Sequence, residues 1–366
     1  MPVARGLYSD VTMPNAGTEQ PIYFKPVLME KVWGGNRIAA CWPEKRAEPG
    51  RIIGESWELV DRPEAQSVAL GGRWDGRTLR QIMEDDPLSV LGPQLAAAKP
   101  ARFPLLAKYV DAGAPLSVQV HPDDAGARHL NDRGKSECWI VVHAEPGSYI
   151  VRGLRPGTTR ADYERAVANE CVEQVLHSFH PKTGDVIALP PGTVHAIGAG
   201  IMVAEIQQNS DVTFRIYDYK RVGLDGKPRP LHVQEALKSI RFGDAGNEAA
   251  NEFSGDMSAD TVMPLAVLGQ RGGEIEKLFN GKYFDLHRYC LEPGGETGLP
   301  ARPEAPRVLM AIEGSGMLGD RPLAAGQTVL LPACAPSLVL RAGAKSKLVV
   351  LVSAPTLAAC NWFARS

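Results

Sequence analysis

The chain has 366 residues, 44% of them hydrophobic and 22% charged, with a net charge of −2, so two domains with sizeable cores are expected. This near-neutral balance, with no basic block or stripe, excludes nucleic acid and anionic membrane surfaces as partners, and no apolar run reaches the ~20 residues of a membrane span. Six scattered cysteines without a CxxC pair read as reduced thiols, and the opening MPVARGLYSDVTMPNAGTEQ lacks the apolar segment of a secretory signal, so the expected location is cytoplasmic.

Taken in chain order, GESWELV (54–60) is the first clear strand, and its Trp57, like Trp33 in VWGG, reads as a core or barrel-rim residue. TLRQIMEDDPLSVLGPQLAAAK (78–99) predicts two short helices. FPLLAKYVDA follows, an apolar run in which Lys108 points inward or marks the run's end. In LSVQVHPDD (116–124), Gln119 and His121 are two apart and share one strand face, either a wet outer face or a metal-binding one. ECWIVVHA and SYIVRG are strands, with Glu137 opening the first and Lys135 just before it. RADYERAVANECVEQVLHSF (160–179) carries a helical apolar stripe through Ala166, Val167, Cys171, Val175 and Phe179. DVIALPPG, IMVAEIQQ and VTFRIYDY are strands, and HVQEALKSIRF (232–242) is a third helical stretch. Small polar residues over 246–260 mark a linker. RVLMAIEGSGML, RPLAAGQTVLLP and SKLVVLVSAP then read as strands of a second domain. Thirty-seven glycines and 29 prolines suit this many short strands and tight turns. The expected fold is mainly β, with two barrel or jelly-roll domains over 1–245 and 261–366 and a few helices inserted in and packed on the first.

The two domains share a spacing. Gly184 is followed by Pro190, Gly192 and His195 at offsets six, eight and eleven; Gly326 is followed by Pro332, Cys334 and Ser337 at the same offsets. One strand–turn–strand unit used twice is expected, with Ser337 replacing the histidine, so that the second domain has no metal site. The spacing G-x5-P-x-G-x2-H resembles the second motif of the cupin superfamily, small β-barrels that hold a metal inside. In the first cupin motif's positions stand Gln119 and His121, with Glu137 as a late acid. Two imidazoles and a carboxylate, with or without an amide oxygen, suit Zn²⁺ or another divalent ion with an open position. For Glu137 the alternative is a surface pair with Lys135, and for Gln119 a structural hydrogen bond. Arg215, inside TFRIYDY, is costly in a barrel unless it meets an anion. It either faces a phosphate or a developing enediolate, or pairs with Asp211 or Glu205. Cys138 reads as packing.

KPVLMEKVWGGNRI, GESWELVDRP, FPLLAKYVDAGAPLSVQVHPDD, GKSECW, PPGTVHAIGAGIMVAEIQQNSDVTFRIYDY and LHVQEAL resemble type I mannose-6-phosphate isomerases in their shorter bacterial form, from about residue 22 to 242. The resemblance implies interconversion of mannose 6-phosphate and fructose 6-phosphate through an enediol. It implies one Zn²⁺ per chain, held by His121, Glu137 and His195, with Gln119 matching the glutamine that is the fourth ligand in longer members. It matches Arg215 to the family's catalytic arginine, and Lys108, Lys135 and Asp211 to residues that handle substrate and protons. The stretch AGARHLNDR is short against the family pattern, and the helical insertion of longer members is missing. The expected partner is a phosphorylated hexose, and the expected assembly a monomer or homodimer. Two other readings stay open on the residues alone: an iron-dependent cupin dioxygenase, and a sugar-phosphate-binding protein without activity.

Overall fold

The computed structural model describes residues 20–242, 253–254, 260–262, 264–270 and 272–360; most of the expected linker at 246–260 lies outside them. The protein is mainly β, built from antiparallel sheets. One six-stranded sheet runs in the order Val186–Leu189, Glu137–Ala144, Ile201–Gln208, Leu105–Ala112, Val27–Gly35, Ile53–Leu59. A five-stranded sheet orders Leu176–Phe179, Ile150–Leu154, His195–Ile197, Val118–Val120 and Phe214–Tyr217. The two face each other as an open jelly-roll-like sandwich rather than a closed barrel, around Trp33, Val110, Trp139, Val141, Ile197 and Val203.

The opposite face of the six-stranded sheet is just as apolar. Leu105, Ala107, Tyr109, Ile140, Ala204 and Ile206 pack there against Phe279, Phe284, Val308, Met310 and Leu351 of the C-terminal half. Strands buried on both faces lose the polar alternation of a half-exposed sheet, which is why LLAKYVDA and IMVAEIQQ read as near-continuous apolar runs. The C-terminal strands form one large sheet, which also takes in Ile22–Lys25, paired with Thr328–Leu331, and Val68–Leu70. Two early strands of the chain are thus stitched into the sheet of its second half.

The repeated spacing corresponds to a repeated structure. Gly184 N–H donates to the Val141 carbonyl at 2.8 Å and Val141 N–H to Asp185 at 2.9 Å; Gly326 N–H donates to Ala311 at 2.8 Å and Ala311 N–H to Gln327 at 3.0 Å. Both glycines have φ near +90°, a conformation that L side chains resist. The unit ends differently in the two copies: His195 enters the sandwich interior, whereas Ser337 Oγ accepts a backbone bond from Ala301 N–H at 3.0 Å.

Two helical expectations differ from the structure. Residues 78–99 form three helices, Leu79–Asp85, Pro87–Leu91 and Pro93–Ala97, because each proline blocks the preceding helix and starts the next at its first turn. In 160–179 the helix stops at Ala168; Glu170 turns left-handed, Val172–Val175 is a 3-10 turn, and Leu176–Phe179 pairs with Ile150–Leu154. Sheet pairing wins over helical spacing there. The third stretch is helical over Val233–Ser239. Among the described residues no helix is long and apolar enough to cross a membrane.

A Cβ at Gly326 would lie 2.5 Å from Cγ of the buried Trp42 ring, on top of the positive φ. Gly326→Ala is therefore expected to destabilise the fold by about 2–4 kcal/mol in urea unfolding while leaving the residues around His195 in place.

Candidate active site

Strand register assembles the site. Gln119 is paired with His195 on one side and Arg215 on the other, so these three stand in a row across the five-stranded sheet. On the facing sheet, Glu137 pairs with Gln207, and Glu205 pairs with both Lys108 and Trp139. His121 follows Val118–Val120 and reaches the same interior.

His121, Glu137 and His195 are buried, with candidate ligand atoms within 4.8 Å of one another. Each imidazole has Nδ1 at 2.8 Å from a backbone carbonyl, Val212 for His121 and Thr193 for His195. Nδ1 therefore carries the proton and Nε2 presents a lone pair. Both Nε2 atoms lie 3.4 Å from Glu137, one at each carboxylate oxygen. Bonds of about 2.0–2.1 Å at a tetrahedral ion put neighbouring donors ~3.4 Å apart. Both Glu137 oxygens are buried without a well-aligned hydrogen-bond donor, although Lys135 Nζ lies 2.6 Å from Oε2 and 3.1 Å from His121 Nε2. Two neutral imidazole nitrogens and a carboxylate converging at this spacing fit a divalent metal.

Gln119 adjoins this group through Nε2, 3.2 Å from His195 Nε2, while its Oε1 accepts from Ser117 at 3.3 Å. Gln119, Lys108, Lys135, Asp211 and Arg215 all line one cavity of about 230 Å³. Lys108 does point inward. It lies 3.4 Å from Glu205 and 3.6 Å from Glu55; Lys135 is 3.4 Å from Glu205, and Lys31 is 3.3 Å from Glu55. The surface-pair alternative for Glu137 is thereby replaced by a buried one. Arg215 makes no ion pair with Asp211 or Glu205 among the described residues; Nη1 donates to the Pro230 carbonyl at 2.9 Å and Nε is buried without an acceptor. Asp211 is exposed at the cavity wall.

Burial shapes the charges. It lowers both histidines, His121 to about 3 with help from Lys135, which keeps the rings neutral as metal ligation requires. Burial raises Glu137, but the Lys135 ammonium outweighs it and holds the carboxyl well below its usual range. Glu205 goes the other way, to about 7, through burial and the Glu137 charge, against Lys108 and Lys135. Burial opposes the charge on Lys108, yet Glu205 and Glu55 keep it firmly protonated. Glu55 and Lys31 were not picked out from the sequence, and Glu205 only as a possible partner of Arg215. The available signal was the one that marked Lys108 and Arg215, a charge inside an apolar strand.

A buried His–Glu–His set able to hold a metal, between facing sheets and beside a cavity rich in lysine and arginine, marks a protein of the cupin class. Residues 22–138 match the model of the phosphomannose isomerase type I catalytic domain. The mannose-6-phosphate isomerase of Streptococcus mutans is 34% identical over 294 residues, covering 80% of this chain and 84% of that protein. Mannose-6-phosphate isomerase ManA of Bacillus subtilis is 38% identical over 225 residues, covering 61% and 69%. The crystal structure of the mannose 6-phosphate isomerase from Bacillus subtilis superposes with a TM-score of 0.79 at 28% identity, over 92% of this chain and 99% of that one. The chain belongs to the type I phosphomannose isomerase family.

Glu55 supplies a pH signature. Burial raises its pKa, but Lys108, Lys31 and the Trp57 indole N–H (2.6 Å) bring it down to about 2 from 4.5. A depressed carboxyl stabilises the fold above its unfolded value, and that contribution disappears as pH falls from 4.5 through about 2. Glu55→Gln should lower unfolding free energy by about 2–4 kcal/mol at pH 7, with the deficit shrinking steadily between pH 4.5 and 2. A deficit independent of pH would show that the charge is not the stabilising feature.

Proposed function

We propose that the protein interconverts mannose 6-phosphate and fructose 6-phosphate, with one Zn²⁺ held by His121, Glu137 and His195. The observation that carries this reading is the convergence of their unprotonated donor atoms beside the cationic cavity. Gln119 would join as fourth ligand by turning the amide oxygen that now accepts from Ser117 toward the site. When bound, zinc supplies Lewis acidity to the sugar's C1 and C2 oxygens.

The protein's own groups account for the rest. The open-chain aldose loses a proton from C2 and gains one at C1, passing through an enediol shared by both sugars. Arg215 has an uncommitted Nε and stands in register beside Gln119, which suits it to stabilise the negative charge on the enediolate. Asp211 carries no ion pair among the described residues and lines the same cavity, which favours it as the proton relay. Lys108, kept cationic by two carboxylates, holds Glu205 and Glu55 in place and does not act as a base. Lys135 anchors Glu137 and stays within reach of substrate oxygens. The cationic Lys108, Lys135 and Arg215 favour an anionic, phosphorylated sugar as substrate.

In a coupled assay, chelation should abolish mannose 6-phosphate turnover and added zinc should restore it; full activity in the metal-free protein would sink the proposal. His121→Ala and His195→Ala should each lose zinc by elemental analysis. Arg215→Ala should keep its zinc and lose about 100-fold or more in kcat, so near-normal turnover would remove Arg215 from the mechanism.

A further inference from the structure

Arg229 is a cavity-lining cation that the mechanism above leaves unused. It stands between two prolines, in KPRP (227–230). Proline fixes its own φ and drives the residue before it to extended backbone, so Pro230 stiffens Arg229 and Pro228 stiffens the approach. The loop is closed behind it by Gly223 N–H donating to the Lys227 carbonyl at 2.7 Å. Its far end is tied down where Arg215 Nη1 reaches the Pro230 carbonyl and His232 N–H donates to the Arg215 carbonyl at 2.7 Å.

The guanidinium is gripped along one edge. Nε donates to Asp218 Oδ2 at 2.7 Å and Nη2 to Oδ1, while Arg221 Nη2 reaches the same Oδ1 at 2.8 Å. Asp218 is buried. Two guanidinium groups, of Arg221 and Arg229, thus share a single carboxylate, and Arg215 is tied to the same loop through the Pro230 carbonyl. Nε of Arg215, and Nε and Nη1 of Arg221, are buried with no acceptor. Arg229 also lines a second cavity of about 320 Å³ next to the first, so it forms part of the wall between them. The lysines of the active cavity are already paired, with Glu55, Glu205 and Glu137. The unbalanced positive charge therefore lies at the arginine end.

The sugar's phosphate is on C6, at the opposite end of the molecule from the reacting C1 and C2. Arg215 stands in register beside Gln119 at the reacting end, whereas Arg229 follows it on the returning loop. We propose that Arg229 seats the substrate's phosphate, and that Asp218 is a positioning residue that sets the angle of its guanidinium. This assignment rests on the isomerase reading. A fork braced along one edge can offer its other edge to a phosphate without losing rotamer freedom on binding.

The test uses the zinc-loaded enzyme and two readouts. The first is calorimetric binding of the hexitol phosphate made by reducing mannose 6-phosphate, which cannot isomerise. The second is steady-state turnover of mannose 6-phosphate and of mannose. Arg229→Ala should weaken hexitol phosphate binding about tenfold or more and raise KM for mannose 6-phosphate in step, with kcat within about threefold and mannose kcat/KM within about twofold. Arg229→Lys should recover part of the loss, and Asp218→Asn should raise KM less than Arg229→Ala does. Unchanged binding in Arg229→Ala, or an equal fall for mannose and mannose 6-phosphate, overturns the assignment. Should Arg229→Ala fail to fold, as judged by melting temperature and zinc content, Arg229→Lys decides by the same ratio. Wild-type enzyme that binds the hexitol phosphate without turning over mannose 6-phosphate would refute the isomerase reading, and the Arg229→Ala binding constant would still decide this one. No binding by the wild type overturns it.

Discussion

Everything in the first half of this protein is arranged around charge that has been taken out of water. Lys108, Lys135, Glu55, Glu137 and Glu205 are all buried between two sheets. A buried charge is tolerated only when it is paired, and removing one partner leaves the other exposed to the full cost. Two buried lysines face three buried carboxylates, with Lys31 adding a further cation from the edge of the cavity. The donors of His121 and His195 bring no positive charge, since burial keeps both neutral. The three lysines and three carboxylates balance one another, so what the imidazoles turn toward Glu137 is electron pairs and not charge.

Such a network needs rigid walls, and the C-terminal half provides one of them. It covers the outer face of the sheet that carries Lys108, Glu137 and Glu205. Tyr109, next to Lys108 and pointing the other way, donates its hydroxyl to the Ala311 carbonyl at 2.9 Å. Arg133, two residues before Lys135, donates to the carbonyls of Ala358 and Ala359. Backbone bonds from Ala333 to Val90 and from Cys334 to Ser89, each 3.0 Å, join the small helices to the same half. The second copy of the strand–turn–strand unit holds no metal-type cluster among the described residues; its turn, with Ser337 bonded to Ala301, serves the packing of the sheet.

Much of the site was legible because strands impose a period of two. Gln119 and His121 share a face by spacing alone, and the turn from Gly184 to His195 carries its own glycine–proline pattern. Lys108 and Arg215 were visible as charges in apolar surroundings. Glu55 carried the same signal and was passed over, because GESWEL alternates well enough to be read as a half-exposed strand. In the structure all seven residues of that strand are buried. Asp218, Arg221 and Arg229 gave no periodic cue, since they lie beyond the end of the strand Phe214–Tyr217, in a loop with no regular repeat. The helix expected to continue through Val175 and Phe179 failed because a neighbouring strand, Ile150–Leu154, offered pairing that local spacing does not reveal.

What the sequence by itself determined was therefore local. It set the mainly β character, the repeated turn, the family, and the identities of the residues able to bind a metal or an anion, because these depend on residue type and near spacing. Tertiary structure alone decided which charges neutralise which. Only when Glu205 lies between Lys108 and Trp139 in the sheet does its carboxyl reach Lys135, and only then is Lys108 held as a cation. It also decided that Arg215 meets a backbone carbonyl, of Pro230, while Arg229 is gripped by the Asp218 carboxylate. Electrostatic partners are chosen by distance and burial in three dimensions, and neither quantity is encoded in any short stretch of the chain.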